Sequence, residues 1–379
     1  MCGIVGILGQ QDVASALVDA LKRLEYRGYD SAGIATLNAG VLERRRAEGK
    51  LRNLEQKLIE SPLPGATGIG HTRWATHGGP VERNAHPHAT SKVAVVHNGI
   101  IENFRELRDA LEAKGVVFES DTDTEVVAQL LTDVMKTEQD PVKAVAAVLP
   151  KLHGAFALGI VFAGVDDLLI GARQGAPLAI GYGADEMYLG SDALALAPFT
   201  DQITYLDDGD WVVLRRKGAE IFDASNKPVK RAKIQSAVGA YSVDKGNHRH
   251  FMMKEIHEQP EVVGRTLAHY LDMGKGEVSL PQGCAVDFSK IDRLTVAACG
   301  TAFYSGLVAK YWFERFARLS VDIDIASEFR YREAPLSAQG LSLFISQSGE
   351  TADTLAALRY AKAAGQKVLA VVNVPTSTI

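Results

Sequence analysis

The feature that most constrains this chain is a change in how its apolar runs are spaced near residue 250. Up to about residue 238, short apolar runs follow one another through polar, Gly-rich turns with few helical stretches between them. From residue 251 onward, apolar runs of strand length alternate with runs of helical periodicity. The first pattern predicts a sheet-rich α+β domain, two antiparallel sheets with helices outside. The second predicts a doubly wound parallel sheet of the α/β class. One core cannot serve both, so the 379 residues are expected to form domains at 2–238 and 251–379. The polar, aperiodic residues 239–250 read as a linker.

Element by element, Gly3–Leu8 reads as a strand and is followed by a helix with Val13, Leu17, Leu21 and Leu24 on one face. A short apolar run ends at Thr36, and residues 93–101 form another strand. Thr122 and Glu125 have the spacing of a capping box. Val126, Val127, Leu130, Leu131 and Val134 give the helix after it a buried face. Asp140-Pro141 starts a further helix, Pro being tolerated in a first turn. More strands are expected at residues 155–162, 168–172, 187–190, 203–205 and 211–214. In the last region, strands at 294–298, 321–325, 341–345 and 367–372 alternate with helices that include 304–319 and 352–364. The sequence stops soon after the fourth of these strands, which leads us to expect an incomplete domain.

Composition narrows the function classes. With 41 basic and 46 acidic residues the net charge is −5, without the basic excess of a nucleic-acid binder. No apolar run approaches the roughly 18 residues of a membrane span, and no secretory pattern opens the chain. Three cysteines in so long a chain exclude a disulfide framework. These bounds predict a cytoplasmic protein acting on small molecules, with neither nucleic acid nor membrane as partner.

Cys2 follows the initiator Met1. Once Met1 is removed, one residue carries both a thiol nucleophile and an α-amine, of reference pKa about 7.7–8.0, able to take the thiol proton. Gly3 and Gly6 are expected to leave room for a substrate. The opposite reading is a small apolar residue opening a buried strand. At His97-Asn98-Gly99, the Asn98 amide and the Gly99 N–H offer two donors for an oxyanion; an Asn-Gly hairpin turn is the other reading. Residues 71–79 read as a Gly-flanked loop in which Arg73 can grip a carboxylate and Trp74 can cover a site. Asp123 can pair with an ammonium or complement a helix dipole. His71, His77, His86 and His88 lack the spacing of a metal site, so no metal is expected.

Five segments, Met1–Gly6, Glu25–Gly33, His71–Gly78, His97–Asn103 and Ser120–Glu125, occur in the order seen in class II glutamine amidotransferases, and the first region resembles that family. The resemblance implies an N-terminal nucleophile hydrolase of αββα architecture in which Cys2 attacks the side-chain amide of L-glutamine. It implies Asn98 and Gly99 as the oxyanion hole, Arg73 for the carboxylate and Asp123 for the ammonium. Trp74, Thr76 and His77 are then residues of a loop that closes over glutamine.

Two turns of the last region share a design. Residues 299–305 and 346–351 each follow a strand and open a helix, where free N–H groups favour anions. Thr301, Ser346, Ser348 and Thr351 add hydroxyls, and neither turn has a Lys, which suits a sugar phosphate better than a nucleoside triphosphate. Simple capping by Ser and Thr is the alternative. Residues 346–354, including Gln347, resemble the phosphate loop of sugar isomerase (SIS) domains; Met253–Pro260, Ala326–Arg332 and Asn373–Pro375 also fit. Together with the first region they resemble the glutamine–fructose-6-phosphate aminotransferase (isomerising) family. This implies conversion of fructose 6-phosphate to glucosamine 6-phosphate with release of glutamate, no metal or organic cofactor, and a homodimer at full length. Two departures stand out. Ala302 occupies a position where the family pattern has Ser. The family also continues into a second SIS domain and a tail that carry its isomerisation residues, so glutaminase chemistry alone is expected of these 379 residues. Another class II amidotransferase, such as an amidophosphoribosyltransferase, and a non-catalytic sugar-phosphate sensor are the competing readings.

Overall fold

The structure is a computed structural model that describes residues 2–25, 28–75, 77–236, 248–272, 275–280, 284, 286–374 and 377–379. It divides into two compact units, residues 1–247 and 248–379. Most of the expected linker, residues 239–247, lies outside the described residues.

In chain order the first unit runs β1 (Gly3–Leu8), α1 (Ala14–Lys22), β2 (Ser31–Asn38), β3 (Val41–Glu48), α2 (Leu51–Glu60), β4 (Thr67–Arg73), β5 (His88–Ala89) and β6 (Val93–Ile101). It continues with α3 (Phe104–Glu112), α4 (Thr124–Val134), α5 (Pro141–Val148), β7 (Gly154–Phe162), β8 (Leu169–Gln174), β9 (Ala179–Tyr182) and β10 (Met187–Gly190). After α6 (Ala193–Leu196) come β11 (Gln202–Tyr205), β12 (Trp211–Arg215), β13 (Gly218–Phe222), β14 (Pro228–Val229) and β15 (Ile234–Gln235). One sheet has the order β15-β11-β9-β10-β1-β4-β2-β3 and the other β14-β13-β12-β8-β7-β6-β5. Every pairing in both is antiparallel.

Alternation along the strands builds four layers. In β1, Ile4 and Leu8 join the layer between the sheets, with Ile69, Val96, Leu169, Leu189 and Val212. Val5 and Ile7 face the other way, into a core completed by Leu17, Leu21 and Leu24. In β6, Val93 and Val95 pack on the far side with Val126, Val127 and Leu131 of α4 and Val145 of α5. Each such side chain removed from water contributes roughly 1.5–3 kcal/mol. The result is the expected helix–sheet–sheet–helix sandwich.

Several local expectations change. Residues 71–79 are not all loop: His71, Thr72 and Arg73 finish β4, a central strand buried on both faces, and the loop begins at Trp74. Small residues, Gly68 and Gly70 among them, hid this strand because they give no apolar alternation. Nor is Asn98-Gly99 a hairpin turn, since β6 runs through both and pairs Gly99 with Phe156. The room at Gly3 and Gly6 is taken by protein: a Cβ on Gly3 would meet Leu24 Cβ at 2.7 Å, and one on Gly6 would meet Leu169 Cδ2 at 2.8 Å. The capping box at Thr122–Glu125 is replaced by another arrangement. Helix α4 has Asp123 at its N-cap and no side-chain bond there. Glu125 instead accepts from the N–H of Glu119 (2.9 Å), the N–H of Ser120 (2.6 Å) and the Ser120 hydroxyl (2.6 Å). Three donors of the entering segment converge on that carboxylate, and leaving buried donors unmet would cost about 1–3 kcal/mol each. Strand β3 was missed because Arg44, Arg45 and Arg46 break any apolar pattern at this sheet edge.

The second unit contains α7 (Phe251–Tyr270), the short pair β16 (Leu271–Asp272) and β17 (Glu277–Val278), and then β18 (Arg293–Ala298), α8 (Gly300–Trp312), β19 (Ser320–Ile325), α9 (Ala326–Phe329), β20 (Leu341–Ser346), α10 (Ala352–Ala363) and β21 (Lys367–Val372). Its main sheet is wholly parallel with order β19-β18-β20-β21, as the alternation predicted. The helix expected over 304–319 starts earlier and ends at Trp312, followed by a wider π turn at Phe313–Ala317. Among the described residues, no helix is long and apolar enough to cross a membrane.

A polar pocket of side chains sits inside the first unit where β4, β5, β6 and α4 meet. His71, His86, His88 and His97 are all buried. His86 Nε2 lies 2.7 Å and His97 Nδ1 2.9 Å from Thr124 Oγ1. His88 Nε2 lies 3.0 Å from Thr122 Oγ1. Burial lowers the basicity of all four, His71 to about 3 and His86 and His88 well below the ordinary value; neighbouring imidazoles and Arg73 add to the effect at these three, while at His97 the Asp123 carboxylate opposes it. These rings stay neutral in the folded unit, while in the unfolded chain they protonate near pH 6.5. The unfolded state then binds more protons below that pH, so the stabilisation is complete above about pH 6.5 and declines as pH falls toward the folded values. His71, His86 and His88 should each cost on the order of 1 kcal/mol per pH unit in this window. We therefore expect the urea midpoint of the first unit, read from the fluorescence of buried Trp211, to drop clearly between pH 7 and pH 5.5. A flat midpoint over that range would contradict neutral burial of these rings.

Candidate active site

Strand pairing assembles the site. The antiparallel register of β1 and β4 sets Gly3 opposite Thr72, so the residue before β1 lies beside the residues that leave β4. The Trp74 N–H donates to Cys2 Sγ at 3.2 Å, and the Cys2 thiol faces the Trp74 carbonyl at 3.5 Å. The opposing sheet adds Asn98, whose Nδ2 donates to the Cys2 carbonyl at 3.0 Å. Burial pushes the Cys2 thiol up, partly offset by the Trp74 hydrogen bond and the Arg73 charge. The sulfur is thus held as a thiol at neutral pH and needs a base to become a nucleophile.

Gly99, next to Asn98, has φ +120°, and a Cβ there would lie 2.0 Å from the Ala155 carbonyl oxygen. Only glycine fits, and the backbone N–H at this point carries no side chain to screen it.

Two buried charges of opposite sign lie near the sulfur. Arg73 ends β4, and its guanidinium donates to the carbonyls of Gly79 (3.1 Å), Gly78 (3.0 Å) and His77. Burial lowers its basicity, with Cys2, Asp123 and Asp30 acting the other way, but it stays cationic. Asp123, at the head of α4, accepts from the Ile101 N–H at 2.8 Å and lies 3.8 Å from the neutral His97 ring. Among the described residues neither charge forms an ion pair with a charged side chain. Buried charges held by neutral groups alone are costly, and this pair offers complementary charge to a zwitterion.

Trp74 is 46% exposed, its ring edge-on to Tyr29 with centroids 5.9 Å apart. The His77 ring packs edge-on to Phe104 at 5.4 Å. Thr76 lies outside the described residues. One functional feature escaped sequence reasoning. Asp30 Oδ2 accepts from the Ala75 N–H at 2.9 Å, and the Asp30 N–H donates to the Arg73 carbonyl at 3.0 Å. This second loop braces the first, and the Glu25–Gly33 segment carries its signal in the sequence. Among the described residues, no group of three or more His, Cys, Asp or Glu is placed to hold a metal ion.

In the second unit, β18 has β19 on one side and β20 on the other, and Ala298 pairs with Ile345. The turns after Ala298 and Ser346 are therefore neighbours at the carboxyl end of the sheet, where such sheets bind ligands. Neither helix that follows has a side-chain cap: the N-caps are Cys299 and Thr351, and neither makes a side-chain bond there. Ser346 Oγ accepts from the Gly349 N–H at 3.0 Å and lies 3.3 Å from Thr351 Oγ1; Ser348 Oγ accepts from the Glu350 N–H at 3.1 Å. Thr301 and Gln347 are exposed, and Ser346 and Ser348 are buried.

Comparison with known proteins fits this arrangement. Residues 71–198 match a glutamine amidotransferase domain and residues 287–379 a SIS domain. The chain is 67% identical over all its 379 residues to a glutamine–fructose-6-phosphate aminotransferase (isomerising) of Bradyrhizobium diazoefficiens, and 65% identical to one of Brucella suis. It spans 62% of the length of each of these relatives. A solved glutamine phosphoribosylpyrophosphate amidotransferase from B. subtilis matches 99% of this chain and 82% of its own, with TM-score 0.54 at 18% identity, a likeness of fold alone. Identity this high over every residue, with amidotransferase and SIS sequence in the same order, makes the chain similar along its whole length to glutamine–fructose-6-phosphate aminotransferases.

Proposed function

We propose that the first unit hydrolyses L-glutamine to glutamate and ammonia with Cys2 as nucleophile. The observation that carries this reading is the pair of buried, unmatched charges, Arg73 and Asp123, flanking the Cys2 thiol. Arg73 takes the α-carboxylate and Asp123 the α-ammonium, so the side-chain amide of glutamine is aimed at the sulfur. After loss of Met1, the α-amine of Cys2 accepts the thiol proton. The thiolate attacks the amide carbon, and the Asn98 Nδ2–H and Gly99 N–H receive the oxyanion. The α-ammonium returns the proton to the leaving nitrogen, and ammonia departs. Water then cleaves the γ-glutamyl thioester, with the same amine as base. Trp74, Thr76 and His77 belong to the loop that covers the bound amino acid. Nucleophile, base and oxyanion donors are all side-chain or backbone groups, so the sequence of steps calls for no metal or organic cofactor.

In the whole protein, the reading extends to amination of fructose 6-phosphate, giving glucosamine 6-phosphate. Its support is the name carried by relatives of 60–67% identity together with the paired turns of the second unit. Thr301, Ser346, Gln347, Ser348 and Thr351 are the groups proposed to hold the sugar phosphate.

Cys2→Ala should abolish glutamate release from glutamine while leaving the urea midpoint near that of the parent. Glutamate release near the parental rate would remove Cys2 from its role. Asp123→Asn keeps an acceptor for the Ile101 N–H but loses the charge opposite the ammonium, a contact worth about 1.5–3 kcal/mol. Its KM for glutamine should rise roughly 10- to 100-fold with kcat within a few-fold; an unchanged KM would refute the ammonium assignment.

A further inference from the structure

We propose that His71 is the positioning residue that decides which way the Asn98 side-chain amide faces, and so keeps its N–H directed at the reacting centre. The inference rests on the glutaminase reading above and adds a residue that the reading does not use.

A side-chain amide is nearly symmetric in shape. Its oxygen and nitrogen can exchange places by a half turn, and only hydrogen-bond partners choose between the two states. Asn98 is held at both ends. At one end Nδ2 lies 3.0 Å from the Cys2 carbonyl, which can only accept. At the other, Oδ1 lies 3.0 Å from His71 Nε2. For the amide to stay in this state, His71 Nε2 must be a donor.

The surroundings of His71 make it one. Nε2 is also 2.9 Å from the His97 carbonyl oxygen, an acceptor with no donor state. A bare Nε2 would set its lone pair against two oxygens. The proton therefore sits on Nε2 and is shared between the two, leaving Nδ1 as the bare nitrogen. Nδ1 is buried and has no hydrogen-bond partner among the described residues, as that tautomer allows. Full burial holds the ring neutral, its pKa near 3. The ring cannot turn away, because His71 lies in central strand β4, opposite Ile4 on one side and Gly33 on the other, and packs against the tilted His86 ring with centroids 4.2 Å apart.

The effect on the reaction follows from which atom faces the oxyanion. With the amide fixed, an N–H meets the developing charge. With the amide turned, an oxygen lone pair meets it instead. One oxyanion donor is worth about 10²- to 10³-fold in kcat. Removing the His71 donor lets the amide sample the turned state and should forfeit part of that factor.

Glutamate release should be measured on the full chain and on His71→Leu, His71→Gln, Asn98→Ala and the double variant His71→Leu/Asn98→Ala. Gln can place an N–H near the former Nε2 position; Leu cannot. The expected result is a 10- to 100-fold lower kcat for His71→Leu with KM for glutamine changed less than about threefold, and substantial recovery in His71→Gln. The double variant should be no slower than Asn98→Ala, because His71 acts through Asn98. Alkylation of Cys2 by iodoacetamide forms no oxyanion, so its rate in His71→Leu should match the parent. If His71→Leu does not fold, His71→Gln against His71→Asn gives the same comparison, Asn being too short to supply the donor. A parental kcat in His71→Leu beside an impaired Asn98→Ala, or losses that multiply in the double variant, would overturn the positioning role alone. A parental rate in Asn98→Ala would overturn the oxyanion assignment and this inference with it.

Discussion

The site depends on the antiparallel pairing of β1 with β4. Cys2 stands at the mouth of one strand and Arg73-Trp74 at the end of the other, and the register that sets Gly3 against Thr72 brings them together. That register is not easily slipped. Both strands are buried on both faces, so moving one residue along would exchange the inter-sheet set, Ile4 and Leu8, with the helix-facing set, Val5 and Ile7. The Cβ positions at Gly3 and Gly6 add a steric lock, since each is filled by a leucine of a neighbouring element. The thiol is thus placed by the hydrophobic pattern of the core and not by contacts at the site itself.

The opposing sheet contributes by a different means. Strand β6 brings His97, Asn98 and Gly99 past the head of β1, and these residues are polar or strained in a region where neighbours are apolar. Their cost is partly offset by hydrogen bonds among them. Thr124 receives two imidazoles, Asp123 takes the Ile101 N–H, and His71 meets both the His97 carbonyl and the Asn98 amide. Buried polar groups that are partnered on several sides hold one arrangement, because each alternative leaves a donor or acceptor unmet. A site carried on strands in this way has less freedom than one carried on loops. The Gly-flanked run 77–79 is itself tied down through its carbonyls by Arg73 and by the Asn84 Nδ2–H on Gly79 at 3.1 Å.

Much of this was legible in the sequence where the signal was periodic. The strands at Gly3–Leu8 and Lys367–Val372, the Asp140-Pro141 helix start and the shift from antiparallel to parallel sheet all follow from apolar spacing and turn chemistry. Three kinds of element escaped. Strand β4 is built largely of Gly and Thr, so its burial comes from neighbours pressing on it and leaves no hydrophobic trace. Strand β3 carries arginines whose alkyl stems and hydrogen bonds, such as Arg46 Nη1 to the Ala85 carbonyl at 3.0 Å, replace apolar contacts. Glu125 has the right spacing for a cap, but the segment before the helix offers buried donors that its own first turn does not. The candidate site residues stand out more in the sequence than their partners do. Cys2, Arg73 and Asn98 are unusual in their local sequence, whereas Asp30 and His71 act through contacts some 45 and 27 residues away.

The order of the second sheet explains why two turns far apart in sequence meet. A chain that added each new strand at the same edge would leave β18 at the rim, with its turn beside only one neighbour. Here the chain passes from β18 to β19 on one side and then returns across to β20 on the other. The two helices that leave β18 and β20 therefore depart to opposite faces of the sheet. The clusters beneath agree: Val296 packs with Leu343 on one face, while Ala297 and Phe344 pack with α9 and α10 on the other. The hydroxyls at Ser346 and Ser348 accept from the turn's own N–H groups, and Ser346 Oγ also pairs with Thr351 Oγ1. The topology of four strands thus sets two strand-to-helix corners, far apart in sequence, side by side.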